Sequence, residues 1–190
     1  MDNIIDDALL AISPLDGRYS RVTAPLKAYF SEYALIKHRI FVEIAYLKAL
    51  HQQLAGTNWG FELDVPATDG IFAQFSEADA LRVKALEQVT NHDVKAVEYF
   101  IKEKLKEQGQ NKILEWVHFG LTSQDINNTA FPLMLQSAYH HVLKPALSDV
   151  VVLLRSFGES HANVPMLSRT HGQAASPTLL GKEIAVWAER

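Results

Sequence analysis

Apolar residues recur along this chain at steps of three, four and seven. Leu26, Phe30, Tyr33, Ile40, Ile44, Leu47 and Leu54 share one helical face, and the spacing predicts largely one helix from Leu26 to Leu54. Thr23 is a candidate N-cap, and Pro25 sits where a first turn tolerates proline. From Gly56 to Gly70 the period vanishes among turn residues, so the stretch reads as a connection. Ser76, with Asp79 three residues on, makes a weaker capping box and starts a helix running to about Val89. Thr90-Asn91-His92-Asp93 then interrupts the pattern. Asp93 can cap the next helix, from Val94 to about Gln108, with Gly109 as its C′ residue and Glu98–Lys102 as a supporting pair.

Farther along, Ile126, Ala130, Met134, Ala138 and Val142 repeat by four, and Pro132 inside that run predicts a late start or a kink. Leu147, Val150, Val151, Leu154 and Phe157 form another stripe after Pro145. Leu180, Ile184 and Trp187 mark a last face that neither glycine nor proline closes before Arg190, as expected of a helix cut short in a truncated chain. Strand signals are poor: Val150-Val151-Val152 stands alone, with no alternation between hairpin dipeptides. The expected fold class is all-α, a helical N-terminal domain followed by the first helices of a longer bundle.

Composition narrows the classes. The 190 residues suffice for one domain, or one domain and part of another. With 48% hydrophobic and 21% charged residues, the chain can bury a core and stay soluble. A net charge of −4 without a basic stripe argues against nucleic-acid binding. The absence of cysteine excludes disulfides, thiolate metal sites and a cysteine nucleophile. No apolar run is long enough to span a membrane, and the acidic opening Met1-Asp2-Asn3-Ile4-Ile5-Asp6-Asp7 is unlike a targeting peptide. A soluble, cytoplasmic protein is expected.

Polar residues concentrate in three segments that break the helical pattern, Thr90–Asp93, His118–Asn128 and Ser168–Gln173, and in a fourth near the start, Ser13–Tyr19. Each has a plain structural reading. Asp93 and Thr122-Ser123 could be helix caps, His171 a surface-loop histidine, and Arg18-Tyr19 ordinary packing. Metal chemistry is unsupported, because the eight histidines include no His-x-x-x-His or His-Glu-x-x-His pair and His140-His141 point to different sides of a helix. His38, His51, His140, His141 and His161 receive no role. A hydrolase elbow and a P-loop are equally unsupported.

Together and in this order, the segments resemble the fumarase/aspartase superfamily, and within it the branch that cleaves adenylosuccinate. Ser168-Arg169-Thr170-His171-Gly172-Gln173 is similar to that branch's signature, where fumarases and argininosuccinate lyases tend to carry Leu in place of Gly172. Thr90-Asn91-His92-Asp93-Val94-Lys95-Ala96-Val97-Glu98-Tyr99 resembles its second histidine segment, and His118-Phe119-Gly120-Leu121-Thr122-Ser123-Gln124-Asp125-Ile126 its threonine–serine segment. Ser13-Pro14-Leu15-Asp16-Gly17-Arg18-Tyr19 is similar to the opening of bacterial members. Ala174 departs from the proline usual after Gly-Gln, which bears on the stiffness of the loop holding His171.

The resemblance implies three mostly helical domains in a full enzyme. This chain would supply the first, to about residue 113, and from 114 the start of the central bundle. It also implies a homotetramer, no metal or organic cofactor, and small-molecule nucleotide substrates. The implied reaction is a β-elimination of fumarate from adenylosuccinate, giving AMP, and from the succinylated aminoimidazole carboxamide ribotide. His171 is the expected acid, since imidazole gives and regains a proton near neutrality. His92 is the second choice, with a substrate-orienting role beside Asn91 and Asp93. Thr122 and Ser123 would donate to the succinyl carboxylate, Arg18 would pair with phosphate and Tyr19 would add a hydroxyl. The superfamily's basic serine lies on a loop marked by Met-Pro. No Met-Pro occurs here, so the chain alone is expected to be inactive. A sister lyase is disfavoured by Gly172 and by Asn91-His92-Asp93, and a non-catalytic helical scaffold by the four ordered clusters.

Overall fold

In the computed structural model the described residues are 10–190, so the acidic opening Met1–Asp7 lies outside them. The fold is all-α apart from one two-stranded sheet, and it divides into two compact units, one ending at Ala138 and one running Tyr139–Arg190.

The first unit is built around α1, Glu32–Leu54. Its N-cap is Ser31, whose hydroxyl accepts the Ala34 N–H at 3.2 Å, and not Thr23. The Thr23 hydroxyl instead donates to the Leu15 carbonyl at 2.7 Å. The expected helix from Leu26 is therefore shorter at its start. Ser31 is extended, which breaks the ladder, and residues 20–30 form only short turns with Phe30 exposed. Helix α2, Val65–Ala73, occupies the end of the expected connection. Asp64 caps it, Pro66 sits in its first turn, and nine residues are too few to show a period. The capping box that starts α3, Glu77–Thr90, is present as read: Ser76 Oγ accepts the Asp79 N–H, and Asp79 Oδ2 accepts the Ser76 N–H.

Helix α4, Asp93–Glu107, is capped by His92 instead of Asp93, because the ring Nδ1 accepts the Lys95 N–H at 3.2 Å. Gly109, at φ +78°, makes the left-handed turn after it. Helix α5, Ser123–Ala138, does not start late but runs through Pro132. Its repeat by four is real, with Ile126, Ala130, Met134 and Ala138 all buried.

Two apolar clusters hold this unit. Ile36, Ile40, Ile44 and Leu47 of α1 pack with Val83, Val97, Phe100, Ile101 and Leu105. On another side of α1, Val42 joins Val94, Ile126 and Ala130. Each fully buried aliphatic side chain stabilises by about 1.5–3 kcal/mol. Between these two faces lie two buried charges one turn apart, Arg39 and Glu43.

The second unit opens with a π-helical turn, Tyr139–Leu143, into which Val142 falls, followed by α6, Lys144–Ser160. Strands β1, Pro165–Thr170, and β2, Gln173–Leu179, pair antiparallel and lead into α7, Leu180–Glu189, which packs on α6. The hairpin corrects the expectation that no strands form here. Prolines and polar residues hide its alternation, and the turn dipeptide is His171-Gly172. Among the described residues, no helix is long and apolar enough to cross a membrane.

Helices α6 and α7 meet backbone to backbone at Gly158 and Gly181. A methyl group on Gly181 would collide with the Gly158 carbonyl oxygen and the Ala162 backbone. Gly181→Ala should therefore cost about 1–3 kcal/mol by overpacking. Hydrogen exchange should show faster amide exchange in α6 and α7 and unchanged exchange in α1–α5. Unaltered protection in α6 and α7 would mean that the two helices do not meet at this glycine.

Candidate functional site

The site in the first unit begins with Arg39. One nitrogen of its buried guanidinium, Nη2, lies 2.6 Å from Asp93 Oδ2, and another, Nε, donates to Asn127 Oδ1 at 2.9 Å. Arg39 thereby joins the first residue of α4 to the second turn of α5. The other Asp93 oxygen accepts the Val94 N–H at 2.8 Å. Burial works to raise the Asp93 pKa, but that N–H and Arg39 outweigh it and hold the carboxyl below its usual range.

His92 sits between these anchors at the break from α3 into α4. Asn91 makes the break possible, since it takes a left-handed φ of +50°, a conformation that asparagine tolerates better than most residues. Because His92 Nδ1 accepts a backbone N–H, a neutral ring carries its proton on Nε2. That nitrogen lies 3.3 Å from Ser123 Oγ, so the ring donates and the serine hydroxyl keeps its own proton for a third group. Two clusters 31 residues apart in sequence thus meet in one hydrogen bond.

Thr122 behaves otherwise. Both its N–H, at 2.7 Å, and its hydroxyl, at 2.9 Å, donate to Asp125 Oδ2. These bonds hold the Asp125 carboxyl below its usual range. Thr122 is therefore a helix-start residue whose donors are engaged within its own turn, and Ser123 is the hydroxyl presented to His92. The preceding loop is pinned to α1 by the Tyr46 hydroxyl, which donates to the Phe119 carbonyl at 2.7 Å, and by His118 Nδ1, 2.5 Å from Glu43 Oε1. Glu43 Oε2 is buried with no hydrogen-bond partner among the described residues. Burial pushes the Glu43 carboxyl up, and His118 offsets this only in part.

Arg18 and Tyr19 also belong to the first unit. Their segment is a folded turn in which Asp16 Oδ1 accepts the Ser13 N–H at 3.0 Å, and the Arg18 guanidinium lies 5.5 Å from the centre of the Tyr19 ring. His171 belongs to the second unit. With Gly172 it forms the two-residue turn between Thr170 and Gln173, at φ +49° and +76°. Both positive values are the type I′ pattern suited to tight hairpins, which gives Gly172 a conformational reason. The Arg169 Nη1 donates to the Gly172 carbonyl at 3.3 Å across that turn. Among the described residues, no group of three or more histidine, aspartate or glutamate side chains is placed to hold a metal ion.

Sequence reasoning missed Arg39, Asn127 and Glu43, and left His118 without a role. A usable signal existed for two of them: Arg39 and Glu43 stand four apart beside an isoleucine face, where two charges are out of place.

Residues 17–190 match the lyase family. The chain is 48% identical to adenylosuccinate lyase of Dictyostelium discoideum over 99% of its own length and 42% of the relative's. It is 47% identical to adenylosuccinate lyase of Vibrio cholerae, covering 96% and 41%. The Escherichia coli K12 enzyme of the same name is 43% identical at the same coverage. The chain thus spans about two fifths of the length of these curated relatives. Among solved structures, fumarate lyase from Mesorhizobium sp. BNC1 shares the fold with a TM-score of 0.68 and 21% identity, over 87% of this chain and 37% of the other. The cycloisomerase acting on β-carboxy-cis,cis-muconate from Acinetobacter calcoaceticus does so with a TM-score of 0.66, 20% identity and the same coverage.

Two buried carboxylates in the first unit carry opposite shifts. Glu98 also suffers burial, but Lys95 at 2.7 Å and Lys102 at 2.9 Å more than offset it and hold its pKa below the ordinary value, whereas Glu43 lies above it. A depressed carboxyl contributes stability above its unfolded pKa and loses it as pH falls through the folded value. Glu43 has the opposite sign: its contribution is present at acid pH and is lost as pH rises through its folded value. Glu98→Gln should therefore cost about 1–3 kcal/mol at pH 7 and progressively less on acidification. Thermal unfolding at several pH values reads this, and a cost independent of pH would contradict the assignment. Carbon-13 titration should place Glu43 above and Glu98 below ordinary glutamate.

Proposed function

The chain belongs to the lyase family, and from that membership we propose that it is the N-terminal part of an adenylosuccinate lyase. The observation that carries this reading is the meeting of His92 and Ser123, polar residues of two separated motifs, in a chain 43–48% identical to enzymes of that name. The full enzyme would act in purine nucleotide synthesis in the cytoplasm, on adenylosuccinate and on the succinylated aminoimidazole carboxamide ribotide. Residues 1–113 would form its first domain, and 114–190 would open the central bundle of a homotetramer.

In the proposed reaction a base takes a proton from the succinyl carbon next to a carboxylate. The electron pair left on that carbon forms the C=C bond of fumarate, and the C–N bond breaks toward nitrogen. His171 protonates that nitrogen, because an unprotonated amine anion leaves poorly. Ser123, held by His92, offers its hydroxyl hydrogen to the carboxylate on which charge accumulates, with Asn91 and Asp93 shaping the turn that aims His92. Thr122 supports this as the start of α5 and acts through Asp125. Arg18 pairs with the nucleotide phosphate beside the Tyr19 hydroxyl. The base is supplied by a segment this chain does not contain, so the chain alone turns over nothing, and no metal or organic cofactor takes part.

Fumarate release from adenylosuccinate, followed by ultraviolet absorbance with argininosuccinate as the control substrate, tests the assignment on the full-length protein. Activity on argininosuccinate alone would refute it. His171→Ala should lower kcat by about 10²–10⁴-fold without unfolding the protein, and normal turnover would remove His171 as the acid. Arg18→Ala should chiefly raise KM, by about tenfold for one lost charge-assisted contact. An unchanged KM would release Arg18 from the phosphate role.

A further inference from the structure

The reaction above uses His92 and Ser123 but does not explain what sets their separation. His92 stands at the start of α4 and Ser123 at the start of α5, and each rests on its own local turn. Neither turn determines where the other lies. A hydrogen bond of 3.3 Å between two half-exposed side chains is easily lost, since a shift of a few tenths of an ångström brings it to the limit of useful geometry. Something rigid must join the two helix starts.

Arg39 makes that join. It comes from α1, the helix against which both α4 and α5 pack, and its side chain is only 7% exposed. Its two arms end on Asp93, the residue after His92, and on Asn127, one turn beyond Ser123 on α5. A planar guanidinium fixes the angle between its donors, so the two acceptors are held at a defined spacing, which a lysine could not enforce. Asp93 is further anchored by the Val94 N–H, so the grip is passed to the backbone beside His92. Burying a cation in this position is costly unless it is paired, and a chain needing only packing would place an aliphatic residue there.

We propose that Arg39 is a positioning residue for the His92–Ser123 pair: by holding Asp93 and Asn127 together, it sets the distance at which His92 donates to the Ser123 hydroxyl. The inference deepens the lyase reading and rests on it only for what the pair serves. Arg39 acts through the two residues it holds, Asp93 and Asn127.

A mutant cycle on the 190-residue chain isolates the effect, with nitrogen-15-labelled histidine and the His92 ring resonances as readout. In the parent, Ser123→Ala should shift the His92 Nε2 resonance, because the hydrogen bond is removed. In an Arg39→Met background the same change should produce no further shift. Met matches the length of the stem without the charge, so circular dichroism should still report the parent's helix content. If Arg39→Met does not fold, Asn127→Ala removes one arm alone, and the Ser123→Ala shift should shrink in that background. An undiminished Ser123→Ala shift in a folded Arg39→Met or Asn127→Ala chain overturns the proposal. In the full-length protein, Arg39→Met should lower kcat/KM on the order of 10²-fold, as expected when reacting groups are displaced by about 1 Å. Arg39→Lys should recover only part of this loss. A parent inactive on adenylosuccinate would sink the lyase reading, while the resonance cycle would still decide the role of Arg39.

Discussion

The Arg39–Asp93 ion pair, at 2.6 Å, is the constraint on which the arrangement of the first unit turns. A guanidinium cannot shed its charge by deprotonation, so once α1 buries it, a carboxylate must come to it. That requirement brings the start of α4 against the middle of α1. A second guanidinium nitrogen, Nε, recruits Asn127 and brings α5 to the same place. The apolar clusters on either side then close around a polar seam. Val42, Val94, Ile126 and Ala130 pack on one side, and the larger isoleucine-rich core on the other. Apolar packing supplies most of the stability, but it is non-directional and tolerates sliding, whereas hydrogen bonds to a planar cation do not.

Glu43, one turn farther along α1, acts on a second loop in a similar way but is less completely satisfied. One oxygen meets His118 and the other is buried without a partner among the described residues. His118 itself stands at φ +62°, an uncommon backbone conformation for a residue with a side chain. With the Tyr46 hydroxyl on the Phe119 carbonyl, this pair holds the loop that delivers Thr122 and Ser123. The polar residues around the loop therefore form layers. Glu43 and Tyr46 hold it from the core, Asp125 closes the helix start on Thr122, and Ser123 meets His92.

The second unit reaches its geometry by different means. It has few buried residues, and its helices approach through glycines instead of interdigitating side chains. Leu147, Val150, Leu153, Phe157 and Trp187 are all exposed. His171 is held at a tight turn, where left-handed φ values at two successive residues fix the backbone beneath the imidazole. His171 is exposed at that turn, between the paired residues Thr170 and Gln173.

Much of this was readable from residue order. The repeats by three and four in α1 and α5, the Ser76–Asp79 box and the Gly109 turn are local matters, settled by which side chains can cap, turn or face one side of a helix. Three of the polar clusters were visible for the same reason, since they break those repeats, and with the fourth near the start their order and spacing pointed to the lyase family. What stayed hidden depended on partners distant in sequence. Ser31 and His92, not Thr23 and Asp93, are the extended residues at which the helices begin; Thr23 meets the Leu15 carbonyl, and Asp93 meets Arg39, 54 positions away. Thr122 and Ser123 look alike in sequence, but Asp125 engages one and His92 meets the other. Pattern records what a residue prefers by itself. Only the folded chain decides which of several competing partners it meets, because that choice rests on distances between segments that no local period contains.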